Sequence, residues 1–236
     1  MCKLSFRGFF LASAIMGPAF CASAAEPVRQ VSIYVQPFYE AARNPGERPR
    51  VAVGKRFDAL LASNNPEDVT AARDLIAGEP KFVTPMALMV LAIRLYDVGL
   101  RDEAVFWFYA AKDRYIAFTE VIEAGIPALA QADEAVRSFA TLAGPVINGY
   151  AFCDLAKQRE LRIKALAWVE SNPYGAMFLP QIPARGRDRQ AAFAQAVRSA
   201  KANAEKESRY FHDPKNAESF YATRKKNEAD TKYCWR

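Results

Sequence analysis

From residue 57 onward the apolar positions of the chain recur at intervals of three and four residues, and proline, glycine and capping residues separate the runs they form. That period belongs to amphipathic helices. In "NNPEDVTAARDLIAGEP", Asn65 stands at a capping position, Pro66 at the first helical position and Gly78 at the stop. Glu67 and Asp68 fall in the first turn, where the positive end of the helix dipole favours acids, so a helix is predicted over 66–77. "VTPMALMVLAIRLYDVGLRDEAV" repeats the device with Thr84, Pro85 and Gly99, predicting one helix from 85 to about 98 and another from Arg101 to about Phe118. So short a link forces the two to lie antiparallel. Further helices are expected over about 127–143, closed by Gly144-Pro145, over about 151–170, closed by "SNPYG", and over about 187–208. The last of these places Ala192, Phe193, Ala196, Val197 and Ala200 on one face. The final 25 residues are polar and read as a short helix plus a tail. Before residue 57 the period changes: "VSIYV" (31–35) reads as a strand, with "RVAV" (50–53) as its partner in a small hairpin or as an extended arm. The fold class expected is mainly α, built of antiparallel helical hairpins, with a short N-terminal β-hairpin as an option.

The first residues obey another logic. Lys3 and Arg7 precede an uncharged apolar run from Gly8 to Met16, followed by Gly17-Pro18 and the small residues Ala22-Ser23-Ala24. This is the layout of a cleavable secretory signal, with cleavage expected after Ala24 or Ala25. The apolar run is too short to span a bilayer, and bulky Phe20 before Cys21 argues against a lipid-attachment site. The expected organisation is 1–25 signal peptide, 26–56 arm or hairpin, 57–174 helical-hairpin domain, and 175–236 C-terminal helix and tail packed on it. Loss of Lys3 and Arg7 lowers the net charge from +6 to +4, with both signs interspersed. Without a basic stripe and interleaved aromatics, nucleic acid is not an expected partner, and no integral membrane segment is expected after signal removal. Cys153 and Cys234 remain after cleavage. In an oxidising compartment they are a disulfide candidate, pinning "KYCWR" to the body, with two unrelated thiols as the alternative.

The pair of helices around Gly99 carries a more specific pattern. Leu88, Leu91, Ala92 and Leu95 form a stripe on the first, and Ala104, Phe108 and Ala111 form one on the second. Small Ala92 and Ala104 let the two backbones approach, while Leu95 and Phe108 fill the space beside them. Residues 85–115 thereby resemble the tetratricopeptide repeat, and "KALAWVESNP" (164–173) resembles the end of a second one. There Gln158 and Arg162 depart from the pattern, standing where a small and an aromatic residue belong. The resemblance implies a bundle of helical hairpins with a concave surface made by first helices, on which Arg94 would touch a partner.

Candidate chemistry changes this picture little. Phe106, Trp107, Phe108 and Tyr109 point to all sides of their helix, so part is core and part is available for recognition. Trp107, Tyr109 and Tyr115, with Arg94, are the candidate binding residues. Asp102, Glu103, Asp113, Glu120, Glu123, Asp133 and Glu134 could supply an acid and base pair, though their positions suit helix starts and exposed stripes better. His212 is the single histidine, which removes multi-histidine metal sites, and neither a nucleophile elbow nor a phosphate loop is present. No catalytic residue, metal or cofactor is assigned. The reading is an exported, periplasmic protein that binds another protein or a peptide, as an immunity or inhibitor protein or an envelope accessory factor. A cell-envelope hydrolase using the clustered carboxylates is the alternative.

Overall fold

The computed structural model describes residues 25–44 and 46–235, so the expected signal peptide lies outside the described residues except for Ala25. Among them the chain forms nine α-helices and a small sheet. The helices are α1 (Asp58–Leu61), α2 (Pro66–Gly78), α3 (Pro85–Asp97), α4 (Arg101–Val121) and α5 (Pro127–Ala151), followed by α6 (Leu155–Ser171), α7 (Arg189–His212), α8 (Pro214–Lys226) and α9 (Ala229–Tyr233). The expected caps are present: the Asn65 side chain accepts from the Glu67 N–H and that of Thr84 from the Ala87 N–H. Gly99 closes the α3–α4 link at φ +90°, a conformation that glycine adopts without a Cβ penalty. Short strands β1 (Tyr34–Val35), β2 (Tyr39–Glu40) and β3 (Arg50–Val51) run antiparallel in the order β1-β2-β3. The segment 31–35 thus pairs with 39–40 and not with 50–53. Val31, Val35 and Tyr39 are drawn into the helical core by burial, with the Tyr39 ring against Phe139 at 6.3 Å.

The α3–α4 hairpin is the centre. Leu88, Leu91, Ala92 and Leu95 of α3 and Ala104, Phe108 and Ala111 of α4 are all buried, as the stripe required. One expected boundary is corrected: α5 does not end before Gly144-Pro145 but continues to Ala151. Pro145 lacks the amide that would bond to Thr141, yet Ala143, Gly144, Ile147 and Ala151 continue the buried face of Val136 and Phe139, and that burial carries the helix through. A Cβ at Gly144 would sit 3.6 Å from the Phe108 ring, so the small residue sets how closely α5 approaches α4.

Polar residues tie the layers together. Arg94 of α3 is 3% exposed. It donates to the carbonyls of Leu61 and Ser63 and to Asn64 Oδ1, each at 2.9 Å, and to Asp97 at 2.7 Å. Asp97 also accepts the Val31 N–H at 2.7 Å, fastening the N-terminal arm. Burial pushes the Asp97 carboxyl up to about 6, against the pull of Arg94 and the Val31 amide. Its folded value thus exceeds the unfolded one of about 3.9, and the folded state holds the proton more tightly. That contribution to stability is full below about pH 4 and is lost as pH rises through about 6. We expect urea midpoints measured from pH 4 to 7 to fall less steeply for Asp97→Asn than for the wild type; equal slopes would contradict this.

The tail is stitched to the body. Cys153 and Cys234 form a disulfide. The Arg224 guanidinium lies beside both sulfurs, 3.1 Å from Cys234 Sγ and 3.5 Å from Cys153 Sγ. Trp235 stacks under Arg101 at 4.0 Å and Arg29 at 4.3 Å, and the Val28 N–H donates to the Lys232 carbonyl at 2.8 Å. The described part of this C-terminal segment, as far as Trp235, therefore consists of the helices α8 and α9 and a stretch held by Arg101 and Arg29.

Candidate functional site

α7 packs on the body unevenly, and this creates the site. In its first half Phe193, Ala196 and Val197 are buried against Ala117, Val121, Ile122 and Met177. In its second half the inward positions Ala200, Ala204, Glu207, Ser208 and Phe211 are only half-buried. The sequence explains the change, because alanines and polar residues replace the larger apolar ones and cannot fill the space beneath the helix. Two clefts result, one on each side of a wall formed by Gln158 and Arg162 of α6 with Ala204 and Glu207 of α7.

The outer cleft is a groove of about 610 Å³ between α6 and α7. Gln158 bonds Glu207 at 2.8 Å and Glu170 pairs with Lys201 at 2.6 Å, so the two helices run antiparallel along it. Leu155, Ile163, Leu166, Ala167, Ala204 and Phe211 supply its apolar surface, Arg159, Lys201 and Glu205 its charges, and His212 a polar ring at one end. Ile163 is 53% exposed, a β-branched apolar side chain open to solvent in the middle of a helix.

The inner cleft, of about 410 Å³, lies under α7 on the side of α4 and α5. Its wall is polar and ordered. Asp113 is bound by both Arg162 Nη atoms, Nη2 at 2.9 Å from Oδ1, and the guanidinium lies 5.3 Å from the Tyr109 ring centroid. Gln158 Nε2 donates to the Tyr109 hydroxyl at 3.2 Å as well as to Glu207. Lys112 also lines the cleft, over the Tyr109 ring at 5.9 Å. Burial holds the Lys112 ammonium below the ordinary lysine range, and the neighbouring Arg162 charge adds to the effect.

The candidate binding residues are not brought together. Arg94 is buried on the far side of the core, where its donors are spent on Leu61, Ser63, Asn64 and Asp97, so it does not present a partner surface. Trp107 is also buried, edge-on to Trp168 and Phe106 at 5.0 Å each. Tyr115 is half-buried and donates its hydroxyl to Asp133 of α5. Tyr109 alone of the four reaches a cleft. The acids are dispersed too: Asp102 pairs with Lys157, Glu103 with Arg73, Asp113 with Arg162 and Asp133 with Arg137, while Glu120, Glu123 and Glu134 are exposed. Asp113 departs from the exposed role expected of it because Arg162 offers a buried counter-charge. Among the described residues no group of three or more His, Cys, Asp or Glu side chains is placed to hold a metal, and no helix is long and apolar enough to cross a membrane.

Sequence comparison finds a related chain. An uncharacterized protein of Haemophilus influenzae is 35% identical over 210 residues, 89% of this chain and 81% of the other. The chain belongs to that protein's family. No family model matches the sequence, and no solved structure matches either. The match extends well beyond the α3–α4 hairpin.

Proposed function

We propose that this is an exported helical-hairpin protein of tetratricopeptide type that binds another protein, working in the periplasm as an inhibitor or envelope accessory factor. The observation that carries the binding reading is the open α6–α7 groove. Its α6 wall runs from Leu155 to Ala167, about 18 Å at 1.5 Å per residue. Two antiparallel helices with an apolar floor and charged rims offer a seat for a third, so the occupant proposed is an amphipathic helix of about three turns from the partner. Export is supported by the charged, apolar and small-residue order of residues 1–25 and by the Cys153–Cys234 disulfide, a bond favoured in oxidising compartments. The dispersal of the acids into separate ion pairs weighs against the hydrolase alternative.

The test is affinity capture of the mature protein from its native envelope fraction, with mass spectrometry, alongside turnover assays on peptidoglycan and ester substrates. A stoichiometric protein partner without turnover is expected. Turnover that disappears on replacing Asp102 or Asp133 would favour the hydrolase. Fractionation with mass analysis of the N-terminus should find the chain in the periplasm, beginning at Ala25 or Glu26; an intact Met1 in the cytoplasm would remove the export half of the proposal.

A further inference from the structure

We propose that Cys153–Cys234 is a thiol–disulfide exchange site opened by a dithiol, with attack at Cys153 Sγ and with Arg224 taking up the charge of the leaving Cys234 sulfur. The inference is independent of what the α6–α7 groove binds. It starts from the place of one guanidinium. The Arg224 side chain is 7% exposed and sits at the bond itself, its Nη2 being 3.1 Å from Cys234 Sγ and 3.5 Å from Cys153 Sγ. Its other polar partners are the Gly149 carbonyl, 3.3 Å from each Nη atom, and Asp230 at 2.9 Å. An intact disulfide carries no charge for the cation to meet. When the bond breaks, one sulfur leaves as a thiolate, and a cation beside it makes that sulfur a better leaving group. Asp230 Oδ1, 3.4 Å from Cys234 Sγ, opposes the same charge. Its side chain is 65% exposed, however, so water screens it far more than it screens the buried guanidinium.

The two sulfurs are not equivalent. Cys234 Sγ is the nearer to Arg224, while Cys153 Sγ faces the Gly149 carbonyl oxygen at 3.5 Å, which disfavours a negative charge there. Cys234 is therefore the leaving sulfur and Cys153 the one attacked. Both cysteines are half-buried, so a thiol from solvent has access. One thiolate of the dithiol bonds to Cys153 Sγ, the Sγ–Sγ bond breaks, and its electron pair leaves on Cys234 Sγ. The second thiolate of the dithiol then displaces Cys153 from the mixed disulfide. The dithiol ends as its own disulfide, oxidised by two electrons, and the two cysteines end reduced with the two protons it gave up. Opening unlatches both chain ends together, because the tail that Cys234 anchors also holds the Val28 N–H through Lys232 and stacks Trp235 on Arg29 and Arg101.

The experiment follows opening of the purified oxidised protein by dithiothreitol in native buffer, quenched with iodoacetamide and read by mass. Arg224→Met keeps the aliphatic stem and should slow opening by about fivefold or more; Arg224→Lys, which keeps a cation, should recover part of the rate. A guanidinium that only tethers the tail predicts the opposite sign, because a looser tail exposes the bond and opens faster. Glutathione, a monothiol, forms the mixed disulfide, and peptide mapping should find it on Cys153 with Cys234 alkylated. Opening of Arg224→Met as fast as wild type or faster would overturn the proposal, as would Arg224→Lys no faster than Arg224→Met. So would glutathione found mainly on Cys234, or a bond that dithiothreitol opens only in urea.

Discussion

Replacing Asp113 by Ala should lower the unfolding free energy by about 3–5 kcal/mol, because it leaves the Arg162 guanidinium buried with no counter-charge. In a chain of this size that corresponds to a fall in melting temperature on the order of 10 °C. The Asp113 side chain is 1% exposed and that of Arg162 11%, so most of the guanidinium stays out of water when the carboxylate is lost. Tyr109 offers Arg162 only its ring face. The cost comes from breaking the pair more than from losing its attraction, since two ions taken together from water into a protein interior gain little net. The double replacement Asp113→Leu with Arg162→Met should therefore recover most of the stability that Asp113→Ala loses. Urea unfolding of the three proteins measures this. A single variant as stable as wild type would show that the pair is open to solvent.

The second large effect is at the tail. Removing the disulfide by Cys153→Ser with Cys234→Ser should cost about 2–5 kcal/mol, since the bond closes a loop across 81 residues and restricts the unfolded chain. Trp235 and the Val28–Lys232 contact depend on the same anchor, so the N-terminal arm should become more protease-sensitive along with the tail. Thermal unfolding before and after reduction of the wild type gives the same quantity without substitution. An unchanged midpoint would mean that the α8 and α9 contacts hold the tail unaided.

Much of this molecule was legible in local signals. Asn65, Thr84 and Gly99 act through neighbours a few residues away, so the limits of α2 and the α3–α4 link could be read directly. Pro145 misled because its local rule lost to the burial of Ile147 and Ala151, a tertiary effect. Whether 31–35 pairs with 50–53 or runs as an arm is not readable for a related reason: two-residue pairings carry almost no register information, and 39–40 lies between the two.

The site was less legible. Arg94 and Trp107 have the residue types of interface anchors, yet side-chain type does not tell an inward arginine from an outward one. A signal for the inner cleft did exist. Gln158 and Arg162 break the hairpin pattern at positions that should be small and aromatic, and those two residues form the wall between the clefts. Their partners Asp113, Tyr109 and Glu207 lie 49 residues away along the chain, which no local pattern reports. The loosening of α7 after Val197 was readable as the replacement of larger apolar residues by alanine, but only the packed fold shows which surfaces that leaves open.

The most direct test of the binding account is to titrate the main co-purifying protein against three forms of the mature chain: wild type, Ile163→Arg, and Leu75→Arg. Ile163 lies in the groove and Leu75 is an exposed residue of α2, outside both clefts. A buried arginine in place of a seated apolar side chain should weaken binding by 2 kcal/mol or more, roughly thirtyfold, as at an interface hot spot. The account predicts that loss for Ile163→Arg, with Leu75→Arg and the melting temperatures near wild type. Equal affinity of all three forms would contradict it and place the partner on another face.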